Sequence, residues 1–300
     1  MLGLYNYIAN SKAVQSIVRG DLQLFYKANR TQAPLGEEQV RNNYFDEIGI
    51  DKVVDGGFPT GTTAWTISSA SYVTFGDGFV DIDRSANTSD AYLYQNILEV
   101  GKTYQVTFSG VINTGALFLG NNDVRTIFGV GEYTNETFTF TVRTGFNPHL
   151  FIIRTSDVTI DIDARITNVS VKQLDPNNRW TVSNDTPSEQ TVQIREGSFF
   201  IEYDSTATKG AANINVPSAG VANQEYEIKV VVDSINNDEK LKVQLGNSAH
   251  NLSEGVNIFK ATSTSTGTLT LGRTHVDDSV TATVSSVSLR KIINSIKDNS

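Results

Sequence analysis

The chain has 300 residues, 39% of them hydrophobic, with 24 basic against 33 acidic side chains and a formal net charge of −9. That length exceeds a single core and predicts two domains, and the acidic balance argues against sequence-neutral binding to nucleic acid, which rests on phosphate neutralisation by Lys and Arg, though not against a small local basic patch. The absence of cysteine excludes a disulfide framework and a thiolate metal site, while 19% charge, 23 glycines and abundant Thr, Ser and Asn favour strands and turns.

In chain order, residues 1–52 come first. The start MLGLYNYIANSKAV lacks the basic leader and unbroken apolar core of a signal peptide, and no later apolar run reaches membrane-spanning length, so neither standard export nor membrane insertion is expected. In SKAVQSIVRGDLQLFYKANR, Val14, Ile17, Val18 and Leu22 follow helical spacing, whereas Leu22, Leu24 and Tyr26 follow strand spacing; the helix is favoured up to Gly20. Glu37 to Phe45 reads as a second short helix. The segment is too short to enclose a core, yet it carries Leu4, Tyr5, Ile8, Val14, Ile17, Val18, Leu22, Leu24 and Phe25. Docking on a partner chain, a different protein or a second copy, is the expectation. The Arg19–Asp21 tripeptide matches an adhesion motif by letters only and is given no role.

Next comes VVDGGFPTGTTAWT (53–66), a long turn before Trp65. FVDID (79–83), TYQVTF (103–108), TFTFTV (137–142), VTIDID (158–163) and NVSVKQ (168–173) then alternate with period two, which means one buried and one wet face. The pattern repeats. VGKTYQVTFSGVI (100–112) matches VANQEYEIKVVVDSI (221–235), with Tyr104 against Tyr226; ETFTFTVRTG (136–145) matches NIFKATSTSTG (257–267); ITNVSVKQL (166–174) matches VSSVSLRKI (284–292). Trp65 matches Trp180, and all four pairs keep their order at offsets of 115 to 122 residues. No helix-period segment interrupts either unit, which excludes parallel βαβ folds and leaves two antiparallel β-sandwiches. Their expected limits are 53–175 and 176–292, joined by a short hinge at QLDPNNR and followed by a tail at 293–300. Both tryptophans are expected to be buried anchors, and the second unit shows no glycine-rich opening of its own.

The opening stretch, with Asp55, Gly57, Phe58, Gly61 and Trp65, resembles the start of carbohydrate-binding-module-like (galactose-binding-like) jelly rolls. VGKTYQVTF resembles their middle strand and ITNVSVKQL their closing strand, over 53–174 and more weakly over 178–292. The resemblance implies an all-β chain of two tandem antiparallel jelly-roll β-sandwiches preceded by a partly helical N-terminal anchoring segment. It also implies a structural calcium ion between opening loop and last strand. A short anchoring segment, tandem jelly rolls, no cysteine and no export signal together look like a tailed-bacteriophage virion protein, such as a head decoration, head fibre or tail appendage. That likeness implies a location in the virion after assembly in the bacterial cytoplasm, with capsid, collar or tail subunits and further copies of the chain as partners.

The candidate sites follow from side-chain chemistry. Tyr92 and Tyr94 share one face of DAYLYQNI and Tyr72 lies just before them; flat rings of this kind stack on pyranosides, and they also serve as ordinary sheet packing. Asp81 and Asp83, and Asp161 and Asp163, each share one side of a strand, where like charges need a cation such as calcium or open solvent. Two carboxylates also suit glycoside hydrolysis, but their separation is not written in the sequence. His149, His250 and His275 lie far apart without a nucleophile elbow and read as solvated loop residues. Polar residues are spread evenly through turns and wet faces, so the expectation is a non-enzymatic structural or binding protein that displays glycan-binding sandwiches. A free carbohydrate-binding module or lectin is the alternative, with a glycan-degrading enzyme third.

Overall fold

The computed structural model describes residues 35–60, 62–68, 70–84, 91–121, 124–142, 147–154, 161–183, 190–203, 213–263, 267–273 and 279–293. The docking residues expected at Leu4 to Phe25 lie outside the described residues. Two strands precede the repeats, β1 (Leu35–Glu38) and β2 (Ile48–Asp51). The first repeat supplies β3 (Thr66–Ser68), β4 (Val73–Phe75), β5 (Val80–Arg84), β6 (Tyr92–Gln95), β7 (Thr103–Thr114), β8 (Leu117–Gly120), β9 (Arg125–Phe128), β10 (Gly131–Thr141), β11 (Leu150–Arg154) and β12 (Ile162–Leu174). The second supplies β13 (Thr181–Ser183), β14 (Gln190–Arg195), β15 (Ser198–Tyr203), β16 (Asn213–Gly220), β17 (Gln224–Ile235), β18 (Leu241–Leu245), β19 (Ser248–Leu252), β20 (Gly255–Ser263), β21 (Gly267–Arg273) and β22 (Val280–Ile292). Apart from one 3₁₀ turn at Ala70–Tyr72, the regular structure of the described residues is all strand.

Each repeat closes into a sandwich of two antiparallel sheets. In the first, the order β10-β7-β12-β5-β4, with β2 added on β12, faces β3-β6-β11-β8-β9. In the second, β14-β15-β22-β17-β20, with β1 added on β22, faces β13-β16-β21-β18-β19. The two topologies correspond strand for strand. Alternation explains the layering: in β7, Tyr104, Val106 and Phe108 point inward, and in β17 Tyr226, Ile228 and Val230 do the same. The Tyr104 hydroxyl accepts the Glu99 amide and the Tyr226 hydroxyl accepts the Val221 amide, both at 2.9 Å, so each core tyrosine ties down the turn five residues before it. Burial pushes the Tyr104 phenol up to about 12, opposed by that hydrogen bond and reinforced by the charge of Glu99.

The second repeat does possess an opening loop, but it stands ahead of the first repeat. Asn42 and Phe45 mirror Asp55 and Phe58: all four have positive φ, from 51° to 57°, and the Phe amide donates to the carbonyl of Asn42 or Asp55. Trp65 Nε1–H donates to the Asp55 carbonyl at 3.2 Å and Trp180 Nε1–H to the Asn42 carbonyl at 3.1 Å. The carbonyl of Gly56 accepts from Val169 and that of Asn43 from Val287, both at 2.9 Å. The carbonyls of Phe58 and Phe45 accept from Gly78 and Gly197, whose positive φ only glycine adopts without strain. In one repeat, six residues separate the phenylalanine from its tryptophan; in the other, 134 do.

The first sandwich is therefore inserted between the opening loop and the tryptophan of the second. The short helix expected at Glu37 to Phe45 is instead β1 and a turn, because Val40 and Phe45 are buried in the second core and β1 pairs with β22. Glu38 holds this strand down: its carboxylate accepts the amides of Val40 and Leu289, as the Asp51 carboxylate accepts those of Val53 and Val171. Residues 35–45 thus belong to a core, and only the residues before them remain for an anchor.

The joint is correspondingly firmer than the single hinge expected at QLDPNNR. The chain passes between the sandwiches twice, and the two passages pair, Leu174 against Ile48. Asp175, 3% exposed, accepts Asn42 Nδ2 at 2.9 Å and the Trp180 amide at 2.8 Å, while Asn42 Oδ1 accepts the Glu47 amide at 3.0 Å. Burial raises the Asp175 carboxyl above the ordinary carboxylate range, against the lowering pull of hydrogen bonds from the Trp180 amide, Asn42 and the Arg179 amide. The folded chain therefore takes up a proton here more readily than the unfolded one. This contribution to stability is full below the unfolded value of about 3.9 and is lost as pH rises through the folded value. On acidification from neutral pH, the melting temperature of the parent is expected to rise relative to Asp175→Asn; a calorimetric difference that stays constant with pH would overturn this.

Candidate functional site

The outer face of the five-stranded sheet in the first sandwich carries the strongest chemistry. In β6 the sequence Tyr-Leu-Tyr-Gln turns Leu93 and Gln95 inward and Tyr92 and Tyr94 outward. In β11, Leu150 and Ile152 are buried while Phe151 and Ile153 face out; in β8, Leu117 and Leu119 are buried and Phe118 faces out. Register then aligns these residues in rows across the strands. One row runs Thr66, Tyr94, Phe151, Gly120, Arg125, and the next runs Ser68, Tyr92, Ile153, Phe118, Ile127.

The rings form one cluster. Tyr94 lies 5.4 Å from Phe151 and 6.1 Å from Tyr92 between centroids, and Tyr92 lies 5.9 Å from Phe151. His149, just before β11, adds a fourth ring 4.8 Å from Tyr94 and 5.5 Å from Phe151, with a buried Nδ1 that has no hydrogen-bond partner. Its sequence context predicts a solvated loop residue, whereas its neighbours place it against the aromatic cluster. None of the described side chains in these rows is a carboxylate.

Of the three tyrosines singled out in the sequence, Tyr92 and Tyr94 come together here and Tyr72 does not. Tyr72 lies in the 3₁₀ turn, where the buried Arg84 guanidinium sits 4.4 Å from its ring centre, and it packs at the edge of the first core. Phe151, Phe118 and His149 were missed by sequence reasoning. The alternation in LFII (150–153) and LFLG (117–120) carried the signal for two of them, but short apolar runs also read as fully buried strands.

The four aspartates sit on the other sheet of this sandwich or beside it. Asp81 accepts Arg165 through both oxygens at 2.8 Å, so its charge is met by a guanidinium rather than left for a metal. Asp83 stands opposite Asp163, which accepts Asn113 Nδ2 at 3.0 Å, and Asp161 is exposed at the start of β12. Among the described residues no group of three His, Asp or Glu is placed to hold a metal ion. The opening loop is tied to the last strand by the Asp51 carboxylate and backbone hydrogen bonds. Trp65 and Trp180, 5% and 4% exposed, are core anchors at equivalent positions, their rings tilted against Phe58 and Phe45 with centroids 5.5 and 5.0 Å apart.

The same face of the second sandwich has different chemistry. Its rows run Thr181, Asn215, Thr270, Gln244 and Ser183, Asn213, Gly272, Lys242, Asn251. Asn215 thus stands where Tyr94 stands, Thr270 where Phe151 stands, and Lys242 where Phe118 stands. Thr270 Oγ1–H donates to Asn215 Oδ1 and Asn215 Nδ2 to Asn213 Oδ1, each at 2.7 Å, giving a polar, self-bonded surface.

No protein-family model matches the sequence, and no curated protein matches it. Among solved structures, the N-terminal CBM22-1–CBM22-2 tandem domain of Xyn10C from Paenibacillus barcinonensis is similar at 9% identity and a TM-score of 0.30, covering 81% of this chain and 98% of that one. A CBM4 structure is similar at 16% identity and 0.25, covering 45% and 99%, and the fucolectin of striped bass (Morone saxatilis) serum at 8% and 0.24, covering 86% and 99%. Likeness of this degree bears on neither ligand nor activity, which reside in particular side chains.

Proposed function

We propose that this chain is a non-catalytic glycan-binding protein whose binding surface is the outer face around Tyr92, Tyr94 and Phe151, displayed on a virion through the residues before β1. One observation carries the binding surface. The inner residues of the two five-stranded sheets match in kind, Leu93 with Ile214, Ile152 with Leu271, Leu119 with Val243, all buried. The outer residues do not: rings in one repeat, amides, a threonine and a lysine in the other. The second sandwich builds the same sheet without the rings, so folding does not demand them, and a ligand that stacks on them accounts for their presence. Glycoside hydrolysis needs two carboxylates about the scissile bond, and the described residues of this face supply none.

Tyr94→Ala and Phe151→Ala are each expected to weaken glycan binding by about tenfold, a loss of roughly 1.4 kcal/mol of stacking and burial. Their cost in folding stability should stay near 1 kcal/mol, the worth of a cross-strand pair. Asn215→Ala on the equivalent face is the control. Binding of the full chain to immobilised polysaccharides checks this, and equal binding by all three variants would overturn it.

The support for attachment is the apolar sequence of residues 1–34. A chain lacking only those residues is expected to keep both sandwiches and glycan binding while failing to join particles that lack the protein. Normal joining would overturn attachment through these residues.

A further inference from the structure

We infer that β20, at the edge of the larger sheet in the second sandwich, is a pairing surface for a second copy of this chain, the two β20 strands running antiparallel about a two-fold axis at Asn257. Among the described residues β20 pairs only with β17, so one side of its backbone faces no strand. Its nine residues keep register with β17 from Ser263 opposite Gln224 to Gly255 opposite Val232, without a bulge. The side chains it turns outward are Val256 and Ile258, 63% and 51% exposed, followed by Lys260 and Thr262. A long, regular edge with exposed branched side chains is a template for another strand. The first sandwich shows that the fold does not require one. On its equivalent edge, β10, Thr137 stands where Ile258 stands, and the register with β7 slips between Tyr133 and Glu136. There Asn135 has a φ of 53°, and its amide donates to Ser109 Oγ at 2.9 Å, at the place where Val256 lies opposite Val231 in the second sandwich. Glu132 and Glu136 flank this bulge, exposed. A bulge and edge charges both turn other strands away, and β20 has neither the bulge nor the carboxylates.

Charge and shape select the chain's own copy as the partner. With Asn257 opposite Asn257, Val256 of each copy meets Ile258 of the other, and the four side chains close one apolar patch. The same register sets Lys260 of each copy beside the exposed Glu254 of the other, so opposite charges meet at both ends. Phe259 then lies over Gly255, which has no side chain to clash with it. Moving the axis to Ile258 sets Lys260 against Val256, and moving it to Val256 sets Glu254 against Ile258; either shift loses both ion pairs. The turn that carries Glu254 is fixed in place. Asn257 Oδ1 accepts the Ser253 amide at 3.1 Å, and Asn257 Nδ2 donates to the Ser253 carbonyl at 2.7 Å. The contact is isologous and small, which suits a transient dimer. It lies on the second sandwich and does not depend on what the aromatic face of the first one binds.

The test is sedimentation velocity of the full chain from micromolar to millimolar concentration. The parent is expected to pass from monomer to dimer. Ile258→Thr, which copies the residue of the equivalent edge, should weaken association by about tenfold through lost apolar burial. Glu254→Lys and Lys260→Glu should each weaken it as well, since each alone sets like charges together at both ends. An equimolar mixture of those two variants should associate like the parent, because every end then sets a lysine against a glutamate. All three positions are exposed, and unchanged melting temperatures at low concentration check that the variants remain folded. A parent that stays monomeric throughout would overturn the inference. So would a dimer that Ile258→Thr leaves intact, or a mixture that associates no better than its two components, since the copies then meet elsewhere or in another register.

Discussion

A chain lacking residues 1–45 is expected to lose its second sandwich and keep its first. β1 supplies an edge to β22, the Glu38 carboxylate satisfies the Val40 and Leu289 amides, and Phe45 lies between Trp180 and Phe199 at 5.0 and 5.9 Å. Removing Phe45 alone, as Phe45→Ala, costs about 3–5 kcal/mol through lost burial and the cavity left behind. That is a large part of the roughly 5–15 kcal/mol that holds a domain folded, and the deletion removes Val40 and the Glu38 hydrogen bonds as well. Denaturation followed by hydrogen exchange should show unprotected amides in β17 and β22 while β7 and β12 remain protected. Persistent protection of β22 in the shortened chain would show that the opening loop is dispensable. The converse chain, with residues 46–179 replaced by the six-residue Pro-Thr-Gly-Thr-Thr-Ala loop that joins Phe58 to Trp65, is expected to fold as one sandwich, since its missing connection is then supplied at the length the other repeat uses.

Truncating Trp180 is expected to damage both the second core and the joint, whereas truncating Trp65 damages the first core. Trp180→Ala removes a buried ring against Phe45 and should cost about 3–5 kcal/mol. Trp180→Phe retains part of the burial but leaves the Asn42 carbonyl without its Nε1–H donor, a loss of about 1 kcal/mol. Asn42 also donates to Asp175, so loosening of its loop should carry into the network around Asp175 and Glu47. Trp65→Ala, with its partner Phe58 and the Asp55 carbonyl confined to the first sandwich, should lower only the transition reported by β7 and β12. Equal effects of the two substitutions on both transitions would show that the sandwiches melt as one unit and that the tryptophans do not act locally.

Local pattern alone determined much of this protein. Period-two alternation marked β5, β7, β10 and β12 and implied antiparallel sandwiches, because each strand announces its buried face through its own residues. Matched motifs showed two repeats, and the tryptophans at matching places are the buried anchors they were expected to be. Half of the candidate surface, Tyr92 and Tyr94, was also visible, since both lie on one strand. Its other half was not: Phe151, Phe118 and His149 join the tyrosines only through register across β6, β11 and β8, and register is set by which faces the whole sandwich buries. The same limit hid the opening loop of the second repeat. Asn42 and Phe45 carry no glycine signature, and 137 and 134 residues of chain separate them from Trp180. The antiparallel pairing of Ile48 with Leu174 and the hydrogen bond of Asn42 to Asp175 bring both passages back to one place, so a contact that is local in the first repeat becomes long-range in the second. The destination of a strand's wet face is a local property; what stands beside it there is decided by tertiary pairing.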